Sequence, residues 1–216
     1  MMAAKELELA ILISGRGSNM TALARACRAG TLRARVAVVI ADREGARGLS
    51  AARELGLATE IVPHARDGHA FERALQEMLE RYRPGALALA GFMRVLSASF
   101  VTQYLGRLFN IHPSLLPKYR GLHTHRRVLE AHDAEHGASV HFVTPELDAG
   151  PVVLQSRLPV REGDTEASLA ARVLATEHLI YPRALGWFAA GRLAWSGGAA
   201  WLDGQRLEAP IVEDFS

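Results

Sequence analysis

The chain has 216 residues, of which 49% are hydrophobic and 22% are charged, and its formal net charge is +2. This balance is typical of a globular protein and excludes a chain that is disordered throughout. The longest apolar runs fall far short of the roughly 20 residues that span a bilayer, and the acidic start lacks the pattern of a secretion signal. We therefore expect a cytoplasmic protein with no membrane partner.

The charged residues and the cysteine exclude two further possibilities. The 25 Lys and Arg residues are nearly matched by 23 Asp and Glu residues, and the arginines are scattered rather than gathered in a stripe, so we expect no nucleic-acid partner. Cys27 is the only cysteine and has no partner within the chain for a disulfide, which predicts a buried structural thiol.

Short aliphatic runs alternate with segments of helical period in the first half of the chain. Parallel strands that are joined by crossover helices produce this alternation. The helical segments include 20–27 and 71–82, whose apolar residues recur at helical spacing. The predicted strands cover residues 7–14, 35–41, 59–62, 86–90 and 107–111. We therefore expect an α/β fold that is built on a doubly wound, mostly parallel sheet.

The second half of the chain is less regular. Between residues 110 and 150 the periodicity weakens and Pro, Gly and His become frequent, a composition that commonly carries function. Strands are predicted at 138–143 and 151–160, and a helix is predicted over 165–190 with a bend where Pro182 removes a backbone donor. Short apolar runs around Gly-rich turns then predict a C-terminal hairpin rather than a second domain.

The first predicted strand ends in ISGRGSNM (residues 13–20), which we call the glycine turn. A dinucleotide fingerprint needs a third glycine where Met20 stands, and Asp42 is weak evidence for the acidic residue of such a site. The turn nevertheless leads into a helix start, where Ser18 and Asn19 supply caps and free backbone N–H groups attract an anion. A strand-to-helix turn that binds no ligand explains these residues equally well.

The stretch HDAEH, from His132 to His136, matches the H-x-x-E-H pattern of one class of zinc peptidases. Two such histidines bind zinc from one face of a continuing helix, together with a third ligand. Gly137 follows at once and favours a helix end, and the residues after it read as a strand. A solvated turn is the better interpretation, and we expect no metal.

Asn110 and His112 stand two residues apart at the end of an aliphatic strand. Alternation places both side chains on one face, and open α/β sheets bind ligands at the carboxyl ends of parallel strands. An amide can donate to a developing oxyanion, and a histidine can act as acid, base or charged donor. Asp148, in a loop bounded by Gly and Pro, is the best-placed carboxylate to orient the histidine. A structural role explains His112 alone equally well.

Several stretches together resemble the phosphoribosylglycinamide formyltransferases, the folate-dependent enzymes of purine synthesis. They are ISGRGSN, AGFMRVLS, AAWLDGQRL and a long block from FNIHPSLLPKYRGLHTHRR to FVTPELDAGPVVLQSRLPV. The long block is specific because many unrelated residue types recur in order. The resemblance implies a Rossmann-like formyltransferase fold with a C-terminal helix and hairpin. It also implies a single domain over residues 1–216, with a nucleotide-phosphate half at 1–105 and a folate and catalytic half at 106–216.

The resemblance implies transfer of the formyl group of 10-formyltetrahydrofolate, a co-substrate, to the amine of 5-phosphoribosylglycinamide through a tetrahedral intermediate. Asn110 and His112 then stabilise the oxyanion, and Asp148 holds the imidazole charged. The nucleotide is expected on Gly17, Ser18, Asn19 and Glu177. The folate is expected on Met93, Arg94, Val95, Leu96, Thr144, Pro145, Glu146, Leu147 and Asp148. The partners are small molecules, and we expect a monomer or a weak homodimer.

Two positions depart from the pattern of this family. Gly68 stands where some relatives have a folate-contacting arginine, with Arg66 close by as a substitute. Leu174 stands on the C-terminal helix where relatives often carry a polar or basic group near the nucleotide. We therefore expect phosphate binding to rest more heavily on the glycine turn.

Two related families and one unrelated class are alternatives. Methionyl-tRNA formyltransferases share the Asn, His and Asp elements but add a C-terminal RNA-binding domain, for which we expect no room after the hairpin. Formyltetrahydrofolate hydrolases add an N-terminal regulatory domain, whereas the first strand is expected almost at once here. A non-catalytic phosphate-binding module explains the glycine turn but gives Asn110 and His112 no purpose.

Overall fold

The computed structural model describes residues 6–64 and 68–216. Its strands, in chain order, are β1 (Leu7–Ile13), β2 (Ala34–Ala41), β3 (Thr59–Ile61), β4 (Ala86–Leu89), β5 (Leu108–His112), β6 (Glu135–Phe142), β7 (Val152–Pro159), β8 (Leu193–Ser196), β9 (Ala199–Leu202), β10 (Gln205–Arg206) and β11 (Ile211–Asp214). Its helices are α1 (Ser18–Arg28), α2 (Gly48–Glu54), α3 (Gly68–Tyr82), α4 (Ala98–Gln103), α5 (Thr124–Glu130) and α6 (Glu166–Ala189).

Within these two ranges, eight strands form a central sheet in the order β11-β7-β6-β5-β4-β1-β2-β3, and β8, β9 and β10 form a small antiparallel sheet. The five strands from β3 to β5 in this order pair in parallel. Strand β6 runs antiparallel to both β5 and β7, and β11 is parallel to β7. The predicted doubly wound, mostly parallel α/β sheet is therefore confirmed.

Both faces of the central sheet are covered, which explains the continuous apolar runs of its strands. Along β1, Leu9, Ile11 and Ile13 belong to one buried cluster, whereas Ala10 and Leu12 belong to another. The first cluster includes residues of α1, α2, α5 and α6, and the second includes residues of α3 and α4. The sheet therefore lies between two helical layers.

Helix α6 ties the C-terminal part of the chain to the sheet. The helix begins with a capping box, in which Thr165 and Ser168 each accept a backbone N–H of the other. The Tyr181 hydroxyl lies 3.1 Å from the carbonyl oxygens of both Leu89 and Phe109. Glu177 precedes Tyr181 by one helical turn and lies on the same face, so it faces the sheet near the ends of β4 and β5.

The structure agrees with the predicted strands β1 to β5 to within one residue at either end. The predicted 165–190 helix is α6, with Pro182 inside it, and the bend expected there stays a prediction. The hairpin is confirmed as β8 and β9, but the chain then returns to the central sheet as β11. Helices α2, α4 and α5 were not predicted, because six or seven residues are too few for a helical period to stand out.

Two further findings concern the cysteine and the apolar character of the helices. Cys27 is only partly buried, rather than buried as predicted, and burial raises the pKa of its thiol to about 11. In the described part of the chain, no helix has both the length and the apolar character that a membrane crossing needs.

Candidate active site

The glycine turn joins β1 to α1 and requires glycine at residue 17. Gly17 has a φ of 73°, and a Cβ at this residue would lie 2.8 Å from the Cα of Gly48. Gly48 begins α2, and its backbone N–H donates to the carbonyl of Gly15 at 2.9 Å. The start of α2 therefore packs directly against the turn and holds its backbone in place.

The start of α1 differs from the prediction in its cap. Gly17 occupies the capping position and no side chain caps the helix, so the caps predicted from Ser18 and Asn19 are wrong. Both residues lie inside the first helical turn, beyond the position from which a side chain caps. Because the first backbone N–H groups of a helix have no partner within it, this end of α1 is suited to an anion.

Asn19 contacts Glu177 of α6 instead, and both side chains are buried. The Asn19 Nδ2 donates to the Glu177 Oε2 at 2.6 Å, so two predicted nucleotide-binding residues lie together. Burial raises the pKa of Glu177 to about 7, while the hydrogen bond from Asn19 acts in the opposite direction. The Oδ1 atom of Asn19 is buried and has no hydrogen-bond partner among the described residues. The pair therefore offers a spare acceptor and a carboxyl group close to the glycine turn.

Asn110 and His112 lie at the carboxyl end of β5, as predicted. The Asn110 Nδ2 lies 3.2 Å from the Nε2 of His141, the residue directly opposite on β6. The His141 Nδ1 lies 2.9 Å from the carbonyl oxygen of Phe142. Because a carbonyl oxygen can only accept a hydrogen bond, Nδ1 carries the proton, and the unprotonated Nε2 accepts from Asn110. Burial lowers the pKa of His141 to about 4. His141 therefore orients the Asn110 amide, a role that the sequence analysis missed.

His112 and Asp148 meet, as the sequence analysis predicted. The Nδ1 of His112 lies 3.4 Å from the Oδ2 of Asp148, and each side chain is 8% exposed. The Nε2 of His112 lies 2.9 Å from the carbonyl oxygen of Tyr119. One ring nitrogen of His112 thus faces a carboxylate oxygen and the other faces a carbonyl oxygen. The same Asp148 oxygen accepts the backbone N–H of Gly121 at 2.9 Å, which fixes the carboxylate.

The segment from residue 113 to residue 123 is held against the sheet by buried polar side chains. The Ser139 hydroxyl donates to the carbonyl of Ser114 at 2.6 Å, and the Gln155 amide donates to the carbonyl of Leu116 at 2.8 Å. The peptide bond between Leu116 and Pro117 is cis. These contacts set the path of the chain that brings the Tyr119 carbonyl and the Gly121 N–H to the site.

The predicted folate-binding residues form two segments with different exposure. In the segment Met93 to Leu96, Met93 and Val95 are 64% and 80% exposed, whereas Leu96 is buried in the core. The Leu96 side chain is therefore not exposed to a ligand. The Nε of Arg94 donates to the buried carboxylate of Asp42 at 2.6 Å, a partner that the sequence analysis did not identify.

The second segment runs from Thr144 to Asp148. The Thr144 hydroxyl donates to the carbonyl of Glu146 at 3.3 Å, and the Glu146 carboxylate accepts from Arg120 at 2.6 Å. Leu147 is exposed. Pro145 follows Thr144 in this loop, which ends at Asp148 beside His112. The loop thus carries the exposed side chain of Leu147 and ends at the carboxylate that lies beside His112.

The HDAEH stretch does not form a helix. His132 lies in a turn with a φ of 53°, and His136 lies in β6. The His136 Nε2 contacts the Nδ1 of His125 at 2.9 Å, and burial lowers the pKa of both rings, that of His136 to about 4. Among residues 6–64 and 68–216, no group of three or more His, Cys, Asp or Glu side chains is placed to hold a metal ion. The zinc-peptidase interpretation therefore fails on geometry.

The family described as formyl transferase matches residues 7–185. The chain belongs to this family. The resemblance that the sequence motifs indicated is thus confirmed.

Relatives match over nearly the whole chain. Phosphoribosylglycinamide formyltransferase of Escherichia coli (strain K12) is 52% identical over 203 residues, which cover 93% of this chain and 96% of that protein. The protein of the same name from Haemophilus influenzae is 38% identical over 202 residues, covering 93% and 95%. A solved structure of phosphoribosylglycinamide formyltransferase from Coxiella burnetii has a TM-score of 0.92 and 45% identity, covering 96% of this chain and 99% of that one.

The two residues that depart from the family pattern, Gly68 and Leu174, lie on α3 and α6. Gly68 is the first residue of α3, and Arg66 lies outside the described residues. Leu174 lies half-buried on α6, one helical turn before His178. An aliphatic side chain gives a phosphate no hydrogen bond, so Leu174 cannot replace the polar group of the relatives.

Proposed function

We propose that the protein transfers the formyl group of 10-formyltetrahydrofolate to the amine of 5-phosphoribosylglycinamide, a step of purine biosynthesis. The observation that carries this proposal is the meeting of Asn110, His112 and Asp148 at the carboxyl end of β5. It occurs in a member of the formyl transferase family that is 52% identical to a relative with this name.

The proposed reaction forms one carbon–nitrogen bond and breaks another. The substrate amine attacks the formyl carbon, and the carbonyl oxygen becomes the oxyanion of a tetrahedral intermediate. Collapse of the intermediate breaks the bond to N10 of the folate, and the proton that the amine loses passes to N10. The charge on the oxygen is the feature that the protein must stabilise.

Asn110 and His112 are the proposed oxyanion donors. An amide nitrogen has two hydrogens, and the Asn110 Nδ2 directs one to His141, so the other is available to the substrate. His112 contributes the positive charge that Asp148 stabilises. When the substrates bind, its Nε2–H no longer contacts the carbonyl of Tyr119 and donates to the oxyanion instead. The proposed chemistry needs no metal, because an imidazolium and an amide supply the electrostatic stabilisation.

The nucleotide is proposed to bind along the glycine turn and α6. Its phosphate accepts backbone N–H groups at Gly17, Ser18 and Asn19, and Glu177 accepts hydroxyl groups of the same substrate. The contact between Asn19 and Glu177 supports this assignment because it brings together the glycine turn and α6, the two elements that form the proposed nucleotide site.

The folate is proposed to bind between the two exposed segments. Met93 and Val95 cover its apolar face, Arg94 and Leu96 contribute backbone groups, and the loop from Thr144 to Asp148 binds the pterin edge. We propose one domain, divided into nucleotide-phosphate and folate-catalytic halves at about residue 105. Met93 to Leu96 and Glu177 are contributed across that division.

The remaining assignments are also proposals. We infer a cytoplasmic enzyme with small-molecule partners, which acts as a monomer or a weak homodimer and binds no nucleic acid. Scattered arginines and a net charge of +2 support the last point, since nucleic-acid affinity needs a concentrated positive surface.

The products of a mixture of protein and both substrates test the proposal. Formylated nucleotide, identified by mass spectrometry, is the expected product. Free formate without formylated nucleotide identifies a hydrolase, and binding of the nucleotide without reaction identifies a phosphate-binding module. A mixture without the nucleotide is the control, and it should release no formate above the uncatalysed rate.

A further inference from the structure

A buried carboxylate lies beneath the first folate segment and has no role in the reaction described above. Asp42 directly follows β2, and its side chain is 0% exposed. Its Oδ2 accepts from the Nε of Arg94 at 2.6 Å, and its Oδ1 accepts from the Nε of Arg43 at 3.0 Å. Complete burial of a carboxylate costs free energy unless the charge is well paired, and here two arginines pair it.

Ser14 connects the same carboxylate to the backbone of the folate segment. The backbone N–H of Met93 donates to the Ser14 Oγ at 2.8 Å, and the Ser14 hydroxyl stabilises the charged form of Asp42 and so lowers the pKa of that carboxyl. Because the Ser14 oxygen accepts from Met93, its one hydrogen is free to point towards the carboxylate. Asp42 therefore holds the folate segment at two points, through Ser14 at Met93 and directly at Arg94.

The connection joins three neighbouring strands at their carboxyl ends. Ser14 directly follows β1, Asp42 follows β2, and Met93 follows β4 after a short turn. Backbone hydrogen bonds run alongside, from Ser14 N–H to the Gly91 carbonyl at 3.1 Å and from Asp42 N–H to the Ile13 carbonyl at 3.3 Å. Ser14 also belongs to the glycine turn, directly before Gly15. The phosphate and folate parts of the site thus share one buried polar anchor.

The groups around Asp42 favour its negatively charged form. Burial alone raises the pKa of this carboxyl, but the hydrogen bonds from Arg43, Arg94 and Ser14 outweigh burial and hold the pKa below its ordinary value. Arg43 is about half exposed, whereas Arg94 is 31% exposed. The Arg94 guanidinium is therefore directed inward to Asp42.

We propose that Asp42 is a positioning residue for the folate co-substrate, acting through Ser14 and Arg94 on the backbone of residues 93–95. The inference rests on the proposed function. It assigns to the Arg94 side chain an anchoring role in place of a direct folate contact. Loss of the carboxylate then lets the folate segment move while Asn110, His112 and Asp148, on β5 and its neighbours, stay in place.

Asp42→Asn tests this role, because it keeps the volume and removes the charge. The KM for 10-formyltetrahydrofolate and the Kd for tetrahydrofolate should rise about tenfold or more, the range expected for losing a charged hydrogen bond. The kcat and the KM for the nucleotide should change by less than about threefold on the same scale. Ser14→Ala should act in the same direction and provides a second test if the Asp42 variant does not fold.

Asp203→Asn is the matched control, since Asp203 pairs with Arg192 at 2.6 Å on the exposed small sheet, and its kinetics should equal those of the wild type. An Asp42→Asn, Arg94→Gln double variant should be little worse than the Asp42→Asn variant alone, because Arg94 acts through its contact with Asp42. Equal changes in both KM values, or no change in any constant, contradict the positioning role. If the wild type forms no formylated nucleotide, the proposed function fails instead.

Discussion

The carboxylate of Asp148 lies 3.4 Å from the Nδ1 of His112, and it is held there by the backbone N–H of Gly121 at 2.9 Å. The carbonyl of Tyr119 faces the other nitrogen of the ring. The segment that supplies both backbone groups therefore sets the orientation of the histidine and of its carboxylate together. In the proposed function, the histidine held in this way is an oxyanion donor on the same strand as Asn110, two residues away.

His112→Ala and Asp148→Asn should each lower kcat by about 10²- to 10³-fold, the usual cost of losing an oxyanion donor. The affinity for the nucleotide, measured by calorimetry, should change far less, because the phosphate and Glu177 contacts remain. Asparagine suits residue 148, whose φ is 48°, since it tolerates this conformation. His132→Asn, at an exposed turn, is the control. Near-normal turnover in either site variant would refute the assigned roles.

Glu177→Gln should separate function from stability. Burial raises the pKa of Glu177 to about 7, so the folded state favours the protonated acid between its ordinary value and about 7. The stability linked to this proton is present at low pH and is lost as the pH rises through about 7. The neutral variant should therefore have a higher Tm than the wild type at pH 8, and the difference should shrink towards pH 5.

The same Glu177 variant should raise the KM for the nucleotide about 10- to 100-fold at pH 8, since a charged acceptor is lost. In the wild type this KM should rise as the pH falls below about 7, and in the variant it should not depend on pH in that range. Glu208→Gln, at an exposed residue, controls for the charge change. A wild-type KM that stays constant from pH 8 to pH 6 contradicts the contact.

His136→Gln should reduce the loss of stability in acid. Burial lowers the pKa of His136 to about 4, so the folded state favours the neutral ring. The linked stability is present above the ordinary pKa of about 6.5 and is lost as the pH falls towards 4. Thermal melts from pH 7.5 to pH 4.5 should show a shallower decline in the variant. An unchanged decline means that other groups, such as His125 or His141, carry the acid dependence.

Gly17→Ala should cost more than Gly30→Ala, although both glycines have nearly the same φ, 73° and 72°. A Cβ at residue 17 meets the backbone of Gly48, whereas nothing lies within 4 Å of a Cβ at residue 30. Gly30→Ala should cost about 1 kcal/mol of unfolding free energy from the backbone conformation alone. Gly17→Ala should cost more and should also weaken nucleotide binding, as denaturant melts and calorimetry can show. Equal costs contradict the close packing of the turn.

Much of the fold could be predicted from sequence because β1, β2 and β4 are almost continuous apolar runs that turns and helical segments separate. The antiparallel direction of β6 and the return of β11 depend on pairing between distant residues, which no local pattern contains. In the site, Asn110 and His112 could be paired by alternation along one strand. The contact of His112 with Asp148 followed from the family resemblance rather than from spacing.

Other contacts of the site had no local signal. Asp42 was weighed only as the acidic residue of a dinucleotide site, and its partner Arg94 lies beyond α3 in the chain. His141 lies opposite Asn110 because β5 and β6 pair in this register. Capping by Ser18 and Asn19 was mispredicted because α1 already begins at Ser18, with Gly17 at the capping position, which is earlier than caps at these two residues require.

The most direct test of the account is a single turnover with 10-formyltetrahydrofolate that carries ¹³C in the formyl group, mixed with excess enzyme and the nucleotide. We expect the label in a new amide on the glycinamide nitrogen of the nucleotide, with unlabelled tetrahydrofolate as the second product. With Asp148→Asn, the same product should form on the order of 10² times more slowly or worse. Label that appears as free formate, or that remains on the folate in the wild type, would contradict the central claim.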